Sequence, residues 1–586
     1  MTSMIFANSQ TAIPLQSDLS YALINEQISL QFNGLDNQLI DDHFPVLQFP
    51  TQIEHDAKIL GDGFQMLAQT GGQLNAPQDI GRCPDNNASY RLYPAQAEKR
   101  FYNYLVIEET VGFTLFGFTS CQRFAGYFEI QQHQAGINIM AFIDGEHTQT
   151  QDWRSQQMET LTVIKGAVLA DVYADYSAKI QLQHPCRAGA TVDAPVGWCS
   201  WYAYYAQVTE QHILDNVDVM CASQSELEWV LLDDGYQAFM GDWLTPSDKF
   251  PHGIKSLLQS IKARGKKPAI WLAPFIAQAE SEVFKLHPDW FIRHANDDLL
   301  KGDLLKAEDI TYGGWRCTPW YILDTSNVDV QAHLTAVVRT MQQEWGVELF
   351  KLDANYWGSL RGQRLQKGIT GVEAYRLGMQ AIIDGAGDAL VLGCNAPMWP
   401  SLGLVDAMRV SDDVERRPER FEQIAKETFN RSWQHRQLWQ IDPDCITLTS
   451  LVDQSTDQDN YEFHRDVILA TGGLALSGDP LPALTEFAKH TWTKILTRHR
   501  LSQESAQFQS LANTHSILKL ANQYQLHCLF NYADSEAVEH TLVADSPVMW
   551  RDLWTGEALH PRPIASLTVK LDAGLSSRAI IMSAVS

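Results

Sequence analysis

Carboxylates stand at the ends of several apolar runs in this sequence, where they have the chemistry to act on a bound molecule. They are Asp233 and Asp234 after WVLL, Asp353 after VELFKL, and Asp412 and Asp413 after DAMRVS. A single carboxylate after a strand is more often a helix cap or half of a salt bridge than a reactive group. Several such residues at strand ends are harder to explain in that way, and together they indicate a site.

Cations and aromatic residues occupy comparable positions. Lys351 lies two residues before Asp353, so both side chains point to the same side of a strand. Arg409, Trp201 and Trp271 also stand in or just after apolar runs. Taken singly, the tryptophans are compatible with a core position and Arg409 with a surface ion pair. As a set with the carboxylates, they indicate a binding pocket.

Paired carboxylates beside aromatic rings suit the cleavage of glycosidic bonds. One carboxylate attacks or stabilises an oxocarbenium-like centre while the other protonates the leaving oxygen. Sugars have apolar C–H faces that stack on indole rings, and hydroxyls that need fixed acceptors. Metal-dependent hydrolysis is the alternative, since DDG and SDD offer ligands for Mg²⁺. Against it, the sequence has no HxH or HExxH spacing, and Lys351 and Arg409 would place positive charge beside the metal.

Alternating helix and strand patterns after Pro195 predict how these residues are brought together. GIKSLLQSIKARG, SNVDVQAHLTAVVRTMQQEWG and VEAYRLGMQAIIDGAG each place apolar residues on one helical face and lead into an apolar strand. Such alternation predicts a parallel α/β architecture. A (β/α)8 TIM barrel is favoured over an open doubly wound sheet, because the first unit lacks a Gly-rich phosphate turn. The carboxyl ends of barrel strands form the active face, so we expect the carboxylates there.

Short apolar runs separated by turn residues flank this region on both sides. From about residue 20 to 190 they predict a β-sandwich, and no helical period is evident there. From about residue 510, HSILKLA, YQLHCLFNY and LTVKLDA predict a small β-domain. The predicted organisation is an N-terminal β-sandwich at 1–190, a catalytic barrel at 191–505 and a C-terminal all-β domain at 506–586.

The composition argues against several classes of partner. The 586 residues include 44 Lys and Arg against 70 Asp and Glu, a net charge of -26 that repels nucleic acids and anionic membranes. No apolar stretch reaches the length of a membrane span, and the N-terminal residues have neither the basic start nor the apolar run of a secretion signal. Nine scattered cysteines without a CxxC pair fit reduced thiols. We therefore expect a cytoplasmic protein, while the sequence leaves homo-oligomer formation open.

An ordered set of short motifs resembles one enzyme family. GWCSWY, LLDDGYQ, FPHGIKSL, IWLAPF, FKLD, LGCNAP and DAMRVSDD occur in this order, and with WQIDPDCI they extend over residues 196 to 447. They closely resemble the shorter bacterial α-galactosidases of glycoside hydrolase family 36. The resemblance implies a retaining enzyme with a β-sandwich, a (β/α)8 barrel and a C-terminal β-domain. It also implies an α-galactoside substrate and no metal or organic cofactor.

The resemblance assigns a role to each candidate site residue. It implies that Asp353 is the nucleophile and that Asp413, rather than Asp412, is the general acid/base. Lys351 would help keep Asp353 ionised and hydrogen-bond a sugar hydroxyl. The other sugar-binding residues that it implies are Trp201, Tyr202, Asp233, Asp234, Trp271, Cys394 and Arg409, with the Asp233–Asp234 pair holding the 4- and 6-hydroxyls of galactose. Family members also use an aromatic residue from the N-terminal domain, whose position the sequence does not give.

The sequence departs from the family pattern on the leaving-group side. After the acid/base the family usually continues with small or aromatic residues, whereas VERRPERF is heavily charged. The expected activity is hydrolysis of α-galactosides of the melibiose or raffinose type. An α-N-acetylgalactosaminidase, a galactosyl transferase on the same fold and a catalytically inactive sugar-binding protein remain as alternatives.

Overall fold

Eight short parallel strands form the central sheet in this computed structural model, which describes residues 3–133, 136–294, 303–521, 524–533 and 535–584. In chain order the strands are β1 (Val196–Cys199), β2 (Trp229–Leu232), β3 (Lys267–Leu272), β4 (Leu349–Leu352), β5 (Leu390–Gly393), β6 (Ala407–Arg409), β7 (Gln440–Asp442) and β8 (Ala475–Ser477). Their order in the sheet is β7-β6-β5-β4-β3-β2-β1-β8. From β1 to β7 each strand lies beside the next one along the chain, and β8 pairs with β1. The sheet is nearly closed, and the predicted (β/α)8 barrel is confirmed.

An α-helix follows seven of these strands in the described chain. The helices are α1 (Glu210–Ala222), α2 (Ile254–Ala263), α3 (Val328–Thr340), α4 (Gly371–Ala386), α5 (Pro418–Arg431), α6 (Gln458–Thr471) and α7 (Glu486–Leu501). Between β5 and β6 the described chain has only a 3-10 turn at Trp399–Ser401. Pro397 and Pro400 lie in this connection, and both lack the N–H donor that a longer helix needs.

The helices form where apolar residues recur at helical spacing. The whole predicted face of α2 is buried, namely Ile254, Leu257, Leu258 and Ile261. This helix ends before Gly265. Gly265 has φ +77°, which a residue with a side chain adopts only under strain. In α3 the apolar residues at helical spacing, Val330, Leu334, Val337 and Val338, are buried as well. In α4 Val372, Tyr375, Met379 and Ile382 are buried, and Ile383 is partly exposed.

The chain forms two compact units that interleave in sequence. The first contains residues 1–190 and 232–409, and the second contains residues 191–231 and 410–586. In the first unit β3, β4, β5 and β6 pair in parallel, with Trp271 opposite Lys351. In the second unit β1 pairs with both β2 and β8. Each unit therefore has its own run of parallel strands.

An antiparallel sheet of thirteen described strands confirms that the N-terminal region is β-rich. Its strands are Met4–Ile5, Thr11–Pro14, Leu19–Ile24, Gln27–Phe32, Phe44–Thr51, Lys58–Asp62, Gln69–Gln73, Ala76–Asp79, Phe101–Glu109, Gly112–Phe118, Ala125–His133, Gly136–Asp144 and Gln157–Gly166. The strand Phe101–Glu109 pairs with three others, Lys58–Asp62, Gly112–Phe118 and Ala125–His133. It is the point at which the sheet branches.

One helix lies in the stretch where the sequence indicated no helical period. Leu169–Gln183 is a helix of 15 residues, which the sequence analysis did not predict within the β-rich region. Its buried residues include Leu169, Val172, Tyr173, Tyr176 and Ile180, which recur at helical spacing. The Tyr176 hydroxyl donates to the Phe118 carbonyl at 2.7 Å, which fixes the helix to the sheet. Polar residues between the apolar positions obscured this pattern.

A loop of the N-terminal domain is bonded to the chain that follows β5. The Met66 N–H donates to the Ala396 carbonyl at 3.1 Å, and the Met398 N–H donates to the Phe64 carbonyl at 2.8 Å. Buried Asp85 holds the loop from the other side, because it accepts from the Phe64 N–H at 2.8 Å and from Gln65 Nε2 at 3.1 Å. The exit of a barrel strand is thus positioned by the N-terminal domain.

The C-terminal region of the second unit is a six-stranded antiparallel sheet among the residues described. Its strands are Gln507–Phe508, His515–Lys519, Gln525–Asn531, Val538–Asp552, Ile564–Leu571 and Ser576–Ser583. They include the three runs from which the sequence predicts this domain. A core that includes Leu529, Leu542, Trp550, Val569 and Ile580 holds the sheet together.

The bonds to Asp85 predict a specific loss of stability. Asp85→Ala leaves the buried Phe64 N–H without its acceptor, and this should lower the free energy of unfolding by about 1–3 kcal/mol. Asp79→Ala is a matched control in the same domain, because Asp79 pairs with Lys99 near the surface. It should cost less than about 1 kcal/mol. Urea unfolding of both variants measures the difference, and equal losses would contradict a bracing role for Asp85.

Candidate active site

Asp353 lies directly after β4 and is 8% exposed. Its backbone N–H donates to the Leu272 carbonyl at 2.8 Å, at the end of β3. The carboxylate accepts from Trp271 Nε1 at 3.0 Å, from Asn395 Nδ2 at 2.7 Å and from the Ala354 N–H at 2.7 Å. An ionised carboxylate has about four acceptor positions. Three fixed donors therefore set its orientation and leave it one further contact.

The backbone beside Asp353 is strained. Ala354 has φ +53° and Asn395 has φ +40°, in the left-handed region that residues other than glycine seldom occupy. Each such residue costs of the order of 1–3 kcal/mol and persists where the surroundings enforce it. The Tyr356 N–H donates to the Asn395 carbonyl at 2.6 Å, so the two strained segments brace each other. The strain is concentrated around one carboxylate, which is typical of functional sites.

Lys351 and Asp233 form a buried ion pair. Lys351 Nζ lies 2.8 Å from Asp233 Oδ2, and their side chains are 6% and 3% exposed. Burial raises the pKa of Asp233, Lys351 opposes that rise, and the charge of Asp353 adds to it. Asp233 is therefore close enough to Asp353 to respond to its charge. Lys351 thus pairs with Asp233, and its expected role towards Asp353 stays a prediction.

Asp234 is held by residues that the sequence did not indicate. Arg316 binds its carboxylate through two nitrogens, Nη2 to Oδ1 and Nε to Oδ2, the second at 2.7 Å. Gln237 Nε2 donates to Oδ1 at 2.7 Å, and Trp315 Nε1 donates to Oδ2 at 3.4 Å. Bidentate pairing of this kind is both strong and directional. Trp315 and Arg316 belong to the long connection between β3 and α3, where no strand-end pattern marks them.

Cys394 and Arg409 lie at the ends of neighbouring strands. Cys394 follows β5 and Arg409 ends β6, and both side chains are buried. Arg409 Nη1 lies 3.8 Å from Cys394 Sγ. Arg409 is thus part of the interior and not half of a surface ion pair. Asn395 adjoins Cys394 in LGCNAP and was not predicted as a site residue. Its position just after β5 is the signal that could have indicated it.

Asp412 and Asp413 occupy contrasting environments in the second unit. Asp412 is buried, pairs with Arg420 and accepts from Gln423 Nε2 at 3.2 Å. Its Oδ1 also accepts from the Asp413 N–H at 2.8 Å. The side chain of Asp413 is exposed and lines a cavity of about 560 Å³. Asp412 thus shapes the turn and Asp413 faces the cavity, and the acid/base role of Asp413 stays a prediction.

Aromatic and charged residues share this cavity with Asp413. Its lining includes Trp201, Tyr202 and Tyr205. The Tyr202 hydroxyl donates to Asp444 Oδ2 at 2.5 Å, and the same oxygen accepts from the Val414 N–H at 2.6 Å. Tyr202 therefore supports the segment after Asp413, while the ring of half-buried Trp201 contributes to the cavity wall.

The charged motif VERRPERF has a structural explanation in its two buried arginines. Arg416 donates to Asp479 Oδ1 and to the Thr449 carbonyl, each at 2.8 Å. Arg420 pairs with Asp412 and, at 2.7 Å, with Glu415. Buried charges persist only where they are paired in this way. The motif fixes the loop that carries Asp413.

The predicted site residues are divided between the two units. All ten are described: the first unit contains Asp233, Asp234, Trp271, Lys351, Asp353, Cys394 and Arg409, and the second unit contains Trp201, Tyr202 and Asp413. Trp271 is fully buried and contacts Asp353 through its N–H. For the aromatic residue expected from the N-terminal domain, Phe64 and Tyr90 are the candidates, since their rings lie 6.2 and 5.1 Å from that of Tyr356. The roles of all these residues stay predictions.

Comparisons with known proteins agree with the motif resemblance. Residues 169–387 match the family model described as Melibiase. An α-galactosidase of Escherichia coli is 29% identical over 105 residues, which is 17% of this chain and 14% of that protein. For this relative and two further curated α-galactosidases, the matched segment covers 14%, 16% and 18% of the relative's length.

Solved structures extend the likeness in fold. The α-galactosidase TtGalA of Thermus thermophilus, solved in complex with stachyose, has a TM-score of 0.63 at 22% identity, over 85% of this chain and 99% of that one. The family 36 α-galactosidase AgaA of Geobacillus stearothermophilus has a TM-score of 0.64 at 14% identity, over 98% of this chain and 82% of that one. The sequence matches confirm a resemblance to bacterial α-galactosidases, and the family 36 structure agrees with this chain in fold.

Neither a membrane-spanning helix nor a metal-binding cluster is found in the described ranges. None of the helices there has both the length and the apolar character needed to cross a bilayer. The same ranges hold no group of three or more His, Cys, Asp and Glu side chains placed to bind a metal ion.

Glu427, which supports Asp412, predicts a pH-dependent difference in stability. Glu427 is buried and accepts from the Asp412 N–H at 2.8 Å, and burial together with the charge of Asp412 raises its pKa. A carboxyl group whose pKa is raised in the folded state stabilises the fold most below its unfolded pKa of 4.5. This contribution declines as the pH rises towards the folded-state pKa. Relative to Glu427→Gln, the wild type should therefore lose about 1.4 kcal/mol per pH unit within that window.

Urea unfolding of the wild type and of Glu427→Gln measures this difference. The measurements cover about three pH units, from roughly pH 5 to pH 8. Glu422→Gln on the same helix is the control, because Glu422 pairs with Lys426 near the surface. Parallel pH dependences of the wild type and Glu427→Gln would contradict the assignment.

Proposed function

We propose that this chain is a retaining α-galactosidase that removes terminal α-linked galactose from oligosaccharides of the melibiose and raffinose type. The observation that carries the proposal is Asp353 at the end of a barrel strand, oriented by three donors beside the ion pair of Lys351 and Asp233. Carboxylates at the carboxyl ends of barrel strands are where the catalytic groups of this fold lie. The Melibiase match and the family 36 likeness support the same activity.

In the first step Asp353 attacks the anomeric carbon of galactose. The carboxylate oxygen forms a bond to that carbon while the bond to the leaving oxygen breaks, which gives a β-linked galactosyl ester. The donors from Trp271, Ala354 and Asn395 hold the carboxylate in one orientation, so little rearrangement precedes the attack.

Asp413 is the proposed general acid and base. It gives its proton to the leaving oxygen in the first step and takes a proton from water in the second. The water then attacks the same carbon, and two inversions restore the α-configuration. A group that exchanges protons with a departing sugar and with water needs access to both, and Asp413 is the exposed member of its acidic pair.

Asp233 and Asp234 are the proposed acceptors for galactose hydroxyls. Both carboxylates are buried and already engaged, Asp233 by Lys351 and Asp234 by Arg316. Their orientation is therefore set before a sugar arrives, and a hydroxyl donates to an oxygen that is already in place. Arg316 joins this set as a residue that positions Asp234.

A reducing compartment suits the cysteines. The nine cysteines include no CxxC pair, and Cys221 and Cys317 are exposed. Exposed thiols of this kind persist in the cytoplasm. The proposed substrates are therefore α-galactosides that have entered the cell.

Substitution of the two proposed catalytic residues should give different patterns. Asp353→Ala should be nearly inactive on every substrate, and azide should restore turnover with a β-linked galactosyl azide as the product. Asp413→Ala should keep much of its first step on an activated aryl α-galactoside, lose melibiose hydrolysis and give an α-linked azide. Product analysis by NMR distinguishes the two.

Asp412→Ala is the matched control, because it removes a neighbouring carboxylate that pairs with Arg420. It should show neither azide product. An α-linked azide from Asp412→Ala and not from Asp413→Ala would move the acid by one residue. Release of β-galactose by the wild type would overturn the retaining mechanism.

Loss of an acceptor in the sugar site should weaken turnover strongly. Asp233→Ala and Asp234→Ala should each lower kcat/KM for aryl α-galactosides by about 1.5–3 kcal/mol of transition-state stabilisation or more. Cys394→Ser should retain hydrolysis with the same stereochemistry, because the thiol is not the nucleophile. Initial rates on aryl glycosides of galactose, N-acetylgalactosamine, glucose and xylose provide the measurement. A preference for N-acetylgalactosamine, or near-normal activity of the aspartate variants, would contradict the proposal.

A further inference from the structure

The size and the charges of the cavity beside Asp413 bear on which leaving group the protein accepts. We infer that it binds a neutral leaving group of two sugar units and that Tyr205 and Gln454 determine this preference. The inference rests on the proposed function, since it concerns the part of the substrate that departs. Besides Asp413, Tyr205 and Gln454, the residues of its wall that matter here are Trp201, Arg416, Arg417, Glu415 and Asp453.

The position of Asp413 in the wall assigns the cavity to the leaving group. A general acid must reach the oxygen that joins galactose to the rest of the substrate. The sugar on the far side of that oxygen then lies against the residues around the acid. All the wall residues belong to the second unit, so this argument depends on the surroundings of Asp413 alone.

The size of the cavity favours more than one sugar unit. Its volume is about 560 Å³. A hexose has twelve non-hydrogen atoms and at the packing density of proteins occupies on the order of 200 Å³. Two units therefore fill the cavity with room for ordered water, whereas the single glucose released from melibiose leaves more than half of it empty.

The charges of the wall favour a neutral leaving group. Arg416 is buried and already engaged by Asp479, and Arg417 pairs at 2.7 Å with Glu415 at the exposed end of the cavity. Asp413 and Asp453 add acidic groups. An anionic leaving group would find no cation without a carboxylate beside it. Hydroxyl groups, in contrast, can donate to carboxylates and accept from guanidinium groups at the same time.

Tyr205 is held in a conformation that the sequence alone would not favour. It has φ +48° and ψ -149°, a region that residues other than glycine rarely occupy. Its ring packs edge-on against Trp201 with centroids 5.4 Å apart. Its hydroxyl donates to Gln454 Oε1 at 3.0 Å and accepts from Gln454 Nε2 at 2.7 Å.

This strained contact forms part of the cavity wall. Arg416 Nη1 also donates to Gln454 Oε1 at 3.3 Å, so the Gln454 amide is fixed from two sides. A fixed amide and a phenol present donor and acceptor positions to sugar hydroxyls, and the Trp201 ring offers an apolar face for a C–H surface. Backbone strain at a binding surface is typical of positions where a side chain is aimed at a ligand.

The first experiment measures kcat/KM on raffinose, melibiose and p-nitrophenyl α-galactoside. The wild type should prefer raffinose over melibiose by about tenfold, as expected for contacts with one further sugar. Tyr205→Phe and Gln454→Leu should lower that ratio towards one, and p-nitrophenyl α-galactoside should lose less than raffinose because its small leaving group makes fewer of these contacts. Circular dichroism and melting temperature establish that both variants fold.

Tyr204→Phe is the matched control. Tyr204 adjoins Tyr205 and accepts a hydrogen bond from Asn216 Nδ2 at 2.9 Å, and it is not part of the cavity wall. The same substitution thus removes one hydroxyl bonded to an amide in each case. Tyr204→Phe should leave the raffinose-to-melibiose ratio unchanged. An equal fall of the ratio in both variants would overturn the role of Tyr205.

The second experiment separates this inference from the proposed function. Sucrose, the disaccharide that raffinose would release, should bind the wild type without galactose, and isothermal titration should give a weaker affinity for Tyr205→Phe and Gln454→Leu than for Tyr204→Phe. Absence of sucrose binding overturns the inference even if the enzyme hydrolyses aryl α-galactosides. Sucrose binding without hydrolysis of any α-galactoside upholds the disaccharide site and overturns the proposed function.

Discussion

The candidate site depends on the burial of charge within an apolar barrel. Asp353, Asp233 and Lys351 are all buried, and a buried charge is tolerated only when it is paired and hydrogen-bonded. Lys351 compensates Asp233, and three N–H donors compensate Asp353. The same contacts that make burial tolerable also hold the groups in one geometry. Stability and preorganisation therefore have the same physical source here.

The sequence predicted the architecture because the barrel is encoded locally. Apolar residues at helical spacing marked α2, α3 and α4, and short apolar runs marked the strands between them. Strand ends then pointed to Asp233, Asp353 and Arg409, because the fold places such positions on one face. The helix Leu169–Gln183 was missed, although its buried residues keep the helical period.

The rest of the candidate site depends on contacts between distant parts of the chain. Arg316 reaches Asp234 from the long connection between β3 and α3, away from the ends of the barrel strands. The conformation of Tyr205 follows from its surroundings and has no signature such as glycine. The motif VERRPERF marks a departure on the leaving-group side, but the sequence does not show that its Arg416 and Arg420 are buried in ion pairs. A string of charges does not reveal which members face solvent, because pairing partners such as Asp479 lie far along the sequence.

The bonds between the loop at Phe64 and the chain after β5 bear on how such a protein can be divided. Ala396 and Met398 obtain backbone partners from the N-terminal domain, and both lie within a few residues of Asn395, which holds Asp353. Excision of the first 190 residues would leave these backbone groups to water and loosen the segment that orients the carboxylate. The N-terminal domain therefore contributes to the geometry of the candidate site. A chimera that exchanges barrels between relatives would have to take the loop at Phe64 and the segment after β5 from the same parent protein.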